Sequence, residues 1–332
     1  MGKSIRAAVI AAPGKVEIQR VEVPSPGEHE LLVKLIGCGV CASNIPPWEG
    51  REWFSYPLEP GGLGHEGWGV VEAVGSNVSD FRAGDKVAFL GQHSYAEYDL
   101  VDASSAIKVP EELGDMGFPG EPLGCAMNIF SRSRVKAGDT VAIVGIGFLG
   151  TLLVQLCVSA GARVIALDRK QSSLDVAKEA GAAETVLMDD HWRVIEQVKH
   201  LTDGTFCDVV IEATGKQWPL DLAAELCKEM GHLVIAGYHQ DGLRQVNMQL
   251  WNWRGLDVTN AHEREPQKYI DGMSAAARAC VEGRIKPSPL FTHSFPLDRL
   301  GEALDMTKDR PIGFMKAVIY MEGSAHEDPD HR

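Results

Sequence analysis

The chain has 332 residues, more than one ordinary core organises, so two domains are expected. Hydrophobic residues make up 45% and charged residues 23%, the proportions of a soluble globular protein, and no apolar run approaches the roughly 20 residues a membrane span needs. A formal net charge of -14 disfavours nucleic acid and anionic membrane as partners, because both repel an acidic surface.

The opening stretch MGKSIRAAVIAAPGKVEIQR turns polar and strand-like too early for a secretory signal, so a cytoplasmic protein is expected. Seven cysteines, an odd number set mostly in apolar segments, suggest reduced thiols rather than a disulfide framework. Residues 1–122 alternate short apolar runs such as ELLVKLIG, GWGVVEAVG and DKVAFLG with Gly, Pro and Asp, the texture of a β-rich domain. From residue 123 the texture changes. Strands are predicted at 140–145, 163–168, 185–188, 208–212 and 232–237, with a sixth at 256–260. Helices are predicted between them at 148–160, 171–181, 191–201 and 217–230. Such alternation implies an α/β doubly wound parallel sheet, assigned to residues 123–264. Residues 265–332 carry one predicted helix at 269–282 and are expected to return to the first domain, with a disordered polar tail over the last ten residues.

The second domain opens with Gly145-Ile146-Gly147-Phe148-Leu149-Gly150 between a predicted strand and a predicted helix. The first Gly permits the tight turn, the second admits a pyrophosphate close to the backbone, and the third lets the helix pack on the strand. Asp168 ends the next strand, 18 residues after Gly150, where a carboxylate can accept bonds from ribose hydroxyls and repel a 2′-phosphate. NAD is therefore favoured over NADP, although the adjacent Arg169 can tolerate a phosphate. Ala213, Thr214 and Gly237 stand at strand ends on the same edge, where a dinucleotide would lie. His239, His262 and Arg264 are further candidates there, with a surface role as the alternative.

In the first domain Cys41 precedes Gly64-His65-Glu66-Gly67 by 24 residues, and Glu121 follows in an E-P-L segment. A thiolate, an imidazole and a carboxylate with one open position form the ligand set of a catalytic zinc. His65 and Glu66 would face opposite sides of a regular strand, so both can serve only if the backbone kinks, and the flanking glycines make that feasible. Cys38 has no second cysteine pair and reads as a buried bystander. Trp48, Arg51 and Trp53 are candidate pocket walls or surface residues.

These pieces, together with G-V-C-A-S-N at 39–44, G-V-V-E-A-V-G at 69–75, A-G-D-K-V at 83–87, A-E-Y at 96–98 and K-A-V-I at 316–319, run in order over nearly the whole chain. The chain thereby resembles the zinc-containing medium-chain dehydrogenase/reductase superfamily, which includes alcohol, sorbitol and threonine dehydrogenases. The resemblance implies a Rossmann NAD-binding domain plus a GroES-like β-rich catalytic domain with the active site in the cleft between them. It implies Cys41 and His65 as zinc ligands, Glu66 or Glu121 as the third, and Ser43 as the hydroxyl that passes the substrate proton outward. Glu at position 121 favours the polyol-type branch, so the expected substrate is a small alcohol or polyol oxidised by hydride transfer to NAD. Homodimers or homotetramers through the cofactor sheet are expected. The chain departs from the family pattern at Asn44, where an Asp usually supports the zinc-bound His, and at Pro46, where a relay histidine is common. It also lacks cysteines between Phe89 and Val109, so one catalytic zinc and no structural zinc are expected. The alternatives are a zinc-free quinone or enoyl reductase of the same superfamily, or a non-catalytic NAD-binding protein.

Overall fold

The computed structural model describes residues 4–321. The tail expected to be disordered lies outside the described residues. The chain divides into two compact units, one of Met1–Pro122 with Ser288–Arg332 and one of Leu123–Pro287.

In chain order the first stretch holds strands β1 (Ser4–Ala12), β2 (Lys15–Glu22) and β3 (Glu30–Gly39) and the short helix α1 (Ile45–Glu49). Strands β4 (Gly67–Val74), β5 (Lys86–Phe89), β6 (Tyr98–Asp102) and β7 (Ala106–Lys108) follow. Helix α2 (Gly120–Ser133) leads to β8 (Thr140–Val144), α3 (Phe148–Ser159), β9 (Arg163–Asp168), α4 (Gln171–Glu179), β10 (Glu184–Leu187) and α5 (His191–Leu201). Next come β11 (Cys207–Glu212), α6 (Gln217–Glu225), β12 (Cys227–Ile235), α7 (Met248–Arg254), β13 (Asp257–Asn260) and α8 (Pro266–Val281). The chain closes with β14 (His293–Pro296), α9 (Leu300–Asp309) and β15 (Ala317–Tyr320).

The first unit is built on a sheet in the order β14-β15-β3-β4-β5-β7, with β6 also paired to β3 and a separate β1–β2 hairpin. Its pairings are antiparallel apart from β14–β15. The core gathers Leu31, Val33 and Leu35 from β3 with Val87, Phe89, Tyr95 and the apolar face of α9. That face, Leu300, Ala303, Leu304 and Thr307, recurs at helical spacing, although the sequence pattern had suggested only linker and strand there.

The second unit is a six-stranded parallel sheet in the order β10-β9-β8-β11-β12-β13. Its central strands β8, β9 and β11 are buried on both faces. In β8, Val141 and Ile143 enter one core with α3, while Ala142 and Val144 enter the other with α5 and α6. This two-sided burial is why the strands read as unbroken apolar runs.

Two of the differences from expectation concern helices. Helix α6 ends at Glu225 instead of running to 230, because Arg254 Nη1 donates to the carbonyls of Ala224, Glu225 and Cys227 and so closes the helix end. Helix α8, placed by the pattern in the returning segment from 265, belongs to the second unit. It buries Gly272, Met273, Ala276 and Ala277, and a Cβ on Gly124 would stand 2.8 Å from the Met273 backbone.

Candidate metal centre and cofactor loop

Strand β3 ends just before Cys41, which opens the one-turn helix Ala42–Asn44. Asn44 closes that turn on itself: its backbone N–H donates to the Cys41 carbonyl at 3.1 Å, and its side-chain Oδ1 accepts from the Cys41 N–H at 3.3 Å. Pro46 and Pro47 follow at the start of α1, where a missing N–H costs nothing.

The segment before β4 is irregular. Gly61 and Leu63 both have positive φ, 76° and 71°, and Leu63 pays for that conformation as a residue with a Cβ. Gly64 lies flush on the neighbouring chain, where a Cβ would meet Tyr95 N at 2.4 Å. The kink this loop creates lets consecutive residues His65 and Glu66 converge on one point. One donor atom from each of Cys41, His65 and Glu66 lies within 4.8 Å of the others.

The electrostatics of the trio are unbalanced toward negative charge. Burial opposes a positive His65 ring, but the hydrogen-bonded Cys41 sulfur and the charges of Cys41, Glu121 and Glu66 outweigh it and raise the group to about 10. His65 Nδ1 is 2.9 Å from the Leu63 carbonyl, which can only accept, so Nδ1 carries a proton there. Glu66 is buried and paired with the equally buried Lys316, whose Nζ donates to Oε1 at 2.7 Å and to the Val40 carbonyl at 3.2 Å. Nζ also lies 2.5 Å from Oε2, so the ammonium straddles both oxygens of the carboxylate. Gly39 makes room for this carboxylate, since a Cβ there would be 1.8 Å from Oε2.

A sulfur, an imidazole nitrogen and a carboxylate oxygen brought together in this way fit a divalent cation, and the sulfur and imidazole suit zinc. Glu121 adds to the field on His65 and Lys316 but stands outside the trio. Ser43, half-buried, sits in the turn between Cys41 and Asn44. Cys38 is fully buried in the core, and burial followed by the charge of Glu66 pushes its thiol well up, which keeps it protonated. Trp48 is no pocket wall: it is 5% exposed and its Nε1 donates to Asp305. Arg51 pairs with Glu49 and lies over the exposed Trp53 ring.

In the second unit the glycine loop has the space its three roles require. Gly145 has φ 102° and would drive a Cβ into Thr214 at 2.4 Å. Gly147 caps α3 and faces open space, the room a phosphate needs. Gly150 would strike the Gly145 carbonyl at 2.0 Å, and Phe148 and Leu149 form the first turn of the helix. Asp168 ends β9 and accepts from the Ile146 N–H at 2.8 Å and the Lys170 N–H at 2.9 Å, so it braces the loop, while Arg169 is exposed. Ala213 donates to the Val144 carbonyl, and a Cβ on Gly237 would lie 2.1 Å from Gly215 N.

A residue that the sequence pattern placed at this strand end without giving it a role organises the edge. Glu212, fully buried at the end of β11, accepts from Thr214 N–H, Thr214 Oγ1 and Gly215 N–H on one oxygen and from His239 Nε2 on the other. Arg244 Nε donates to His239 Nδ1, which fixes that ring's tautomer. His262 reaches the Gly237 carbonyl at 3.3 Å. A buried strand-end carboxylate leaves no periodicity signal, so only its acidic side chain in an apolar run could have flagged it.

The chain is similar to known proteins along most of its length. Residues 27–111 match the alcohol dehydrogenase GroES-like domain, and residues 149–277 match the zinc-binding dehydrogenase family. A sorbitol dehydrogenase of Bombyx mori is 26% identical, covering 95% of this chain and 98% of that one. An (R,R)-butanediol dehydrogenase of Neisseria gonorrhoeae is 26% identical over 89% and 93% of the two chains. A Sinorhizobium meliloti protein assigned as a zinc-binding dehydrogenase and solved with NADP is 27% identical, with a TM-score of 0.83 over 96% and 99% of the two chains. A GroES-like domain and a Rossmann-type sheet, matched in chain order by these relatives, define an oxidoreductase. The chain belongs to the zinc-containing medium-chain dehydrogenase/reductase family, in its alcohol dehydrogenase-like part. No helix among the described residues is long and apolar enough to cross a membrane.

Proposed function

We propose that the protein is a zinc-dependent, NAD-linked dehydrogenase that oxidises a small alcohol or polyol to the carbonyl compound. The observation that carries this reading is the convergence of one donor atom each from Cys41, His65 and Glu66 within 4.8 Å. Cys41 and His65 would hold one zinc, with Glu66 Oε2 as the third donor and Glu121 as the alternative; no structural zinc is expected. Bound zinc supplies Lewis acidity toward a substrate hydroxyl, and the nicotinamide supplies the hydride acceptor.

The chain's own residues do the rest. Ser43 accepts the substrate hydroxyl proton and passes it outward as the carbinol carbon gives up its hydride. Lys316 neutralises Glu66 and keeps its carboxylate in place. Gly145, Gly147 and Gly150 admit the dinucleotide, with Phe148 and Leu149 offering backbone N–H groups at the helix start. Asp168 supports NAD over NADP through its charge, and Arg169 is exposed beside it. Ala213, Thr214 and Gly237 line the same strand-end edge. The open edge at β13, with exposed Val258, Trp253 and Met230 nearby in the chain order of that edge, supports a homodimer through the cofactor sheet. A cytoplasmic location is in keeping with the dehydrogenase relatives.

The test is metal analysis of wild-type and Cys41→Ala protein, with a panel of alcohols and polyols assayed against NAD and NADP. Zinc at about one per chain, absent from the variant together with turnover, is expected. Undiminished turnover in zinc-free Cys41→Ala protein refutes the reading.

A further inference from the structure

The side chain of Asn44 is 2% exposed and does not meet the His65 ring through any hydrogen bond in the structure; it meets the carbonyl that holds the ring. Asn44 Nδ2 donates to the Leu63 carbonyl at 3.1 Å, and His65 Nδ1 donates to the same oxygen at 2.9 Å. The other end of the amide is fixed as well. Its Oδ1 accepts from the fully buried Tyr95 hydroxyl at 2.8 Å and from the Cys41 N–H at 3.3 Å. Both amide atoms are assigned by groups of fixed chemistry, since a backbone carbonyl can only accept and a backbone N–H can only donate.

We infer that Asn44, locked by Tyr95, is the positioning residue of the metal centre: it ties the Cys41 turn to the Leu63 carbonyl that orients His65. Leu63 occupies a left-handed conformation that a Cβ disfavours, at φ 71°, so its carbonyl direction needs an external tie. The amide supplies it from the Cys41 side, and one side chain thereby couples the geometry of two ligand-bearing segments 24 residues apart. The requirement is specific to an amide. An aspartate at 44 can still accept from Tyr95 and Cys41, but as a carboxylate it cannot donate to Leu63 and would set two acceptors against each other. An ion-bearing histidine thus leans here on a neutral carbonyl braced by a neutral amide.

The inference rests on the zinc reading, and the experiment separates the two. Zinc affinity is measured on the full-length protein by competition with a chromophoric chelator, and the melting temperature of the metal-free protein is measured alongside. Asn44→Asp and Asn44→Ala are expected to weaken zinc by about 10–100-fold, the usual cost of losing an outer-shell partner. Tyr95→Phe is expected to weaken it by about threefold, the worth of one neutral hydrogen bond, and to add nothing in the Asn44→Ala background because Tyr95 acts through that amide. A merely structural role would lower the metal-free melting temperature and leave zinc affinity alone. Unchanged or tighter zinc in Asn44→Asp overturns the inference; should that variant fail to fold, unchanged zinc in Tyr95→Phe overturns it instead. Wild-type protein that takes up no zinc defeats the zinc reading and this inference together.

Discussion

Replacing Lys316 with Met removes the cation from a pair in which both members are buried, Lys316 at 6% and Glu66 at 1% exposure. At 2.7 Å and an effective dielectric of about 20, the attraction is about 6 kcal/mol, set against the desolvation of both ions. Without Lys316 the carboxylate is stranded. A buried pair broken in this way typically loses about 3–5 kcal/mol. The assay is urea unfolding of metal-free protein followed by far-UV circular dichroism, with Lys316→Met compared with the double variant Lys316→Met, Glu66→Gln. The double variant should recover most of the loss, because no buried charge is left unpaired. A loss below about 1 kcal/mol in the single variant, or a double variant as unstable as the single, would show that the pair does not carry the stability assigned to it.

Gly39→Ala places a methyl 1.8 Å from Glu66 Oε2, so the carboxylate must move; chelator competition should report weakened zinc, with a stability loss of about 1–3 kcal/mol from overpacking. The cofactor glycines should separate. Gly147→Ala points into open space and should keep its melting temperature while NADH binding, followed by fluorescence, falls, whereas Gly150→Ala strikes the Gly145 carbonyl at 2.0 Å and should lose both. In the metal-free protein the negative field holds the His65 proton up to about 10, so at pH 8 zinc uptake should expel that proton. Because the raised value favours the protonated ring at every pH below it, apparent zinc affinity should rise as pH climbs toward that value. Titration calorimetry in two buffers of different ionisation enthalpy counts the proton, and buffer-independent heats would contradict the assignment.

Much of this molecule is determined by local sequence. The parallel sheet was legible because its central strands are apolar on both faces, and Gly145, Gly147 and Gly150 declare their roles by their spacing between a predicted strand and a predicted helix. Cys41, His65 and Glu66 could be named as ligand types from the same kind of pattern. Helix α9 was legible in principle, since Leu300, Ala303, Leu304 and Thr307 recur at helical spacing, yet the Pro-rich flanks obscured it. The end of α6 was not, because Arg254, 29 residues away, caps it. Tertiary structure alone decided which residues serve the site indirectly. Lys316 reaches Glu66 across 250 positions, and Tyr95 reaches Asn44 across 51. In the sequence Asn44 is only a departure from the Asp of the family pattern; in the fold it braces the Leu63 carbonyl. Ligand chemistry lies in side-chain type and is written locally, whereas orientation depends on hydrogen bonds between segments that only folding brings within 3 Å of one another.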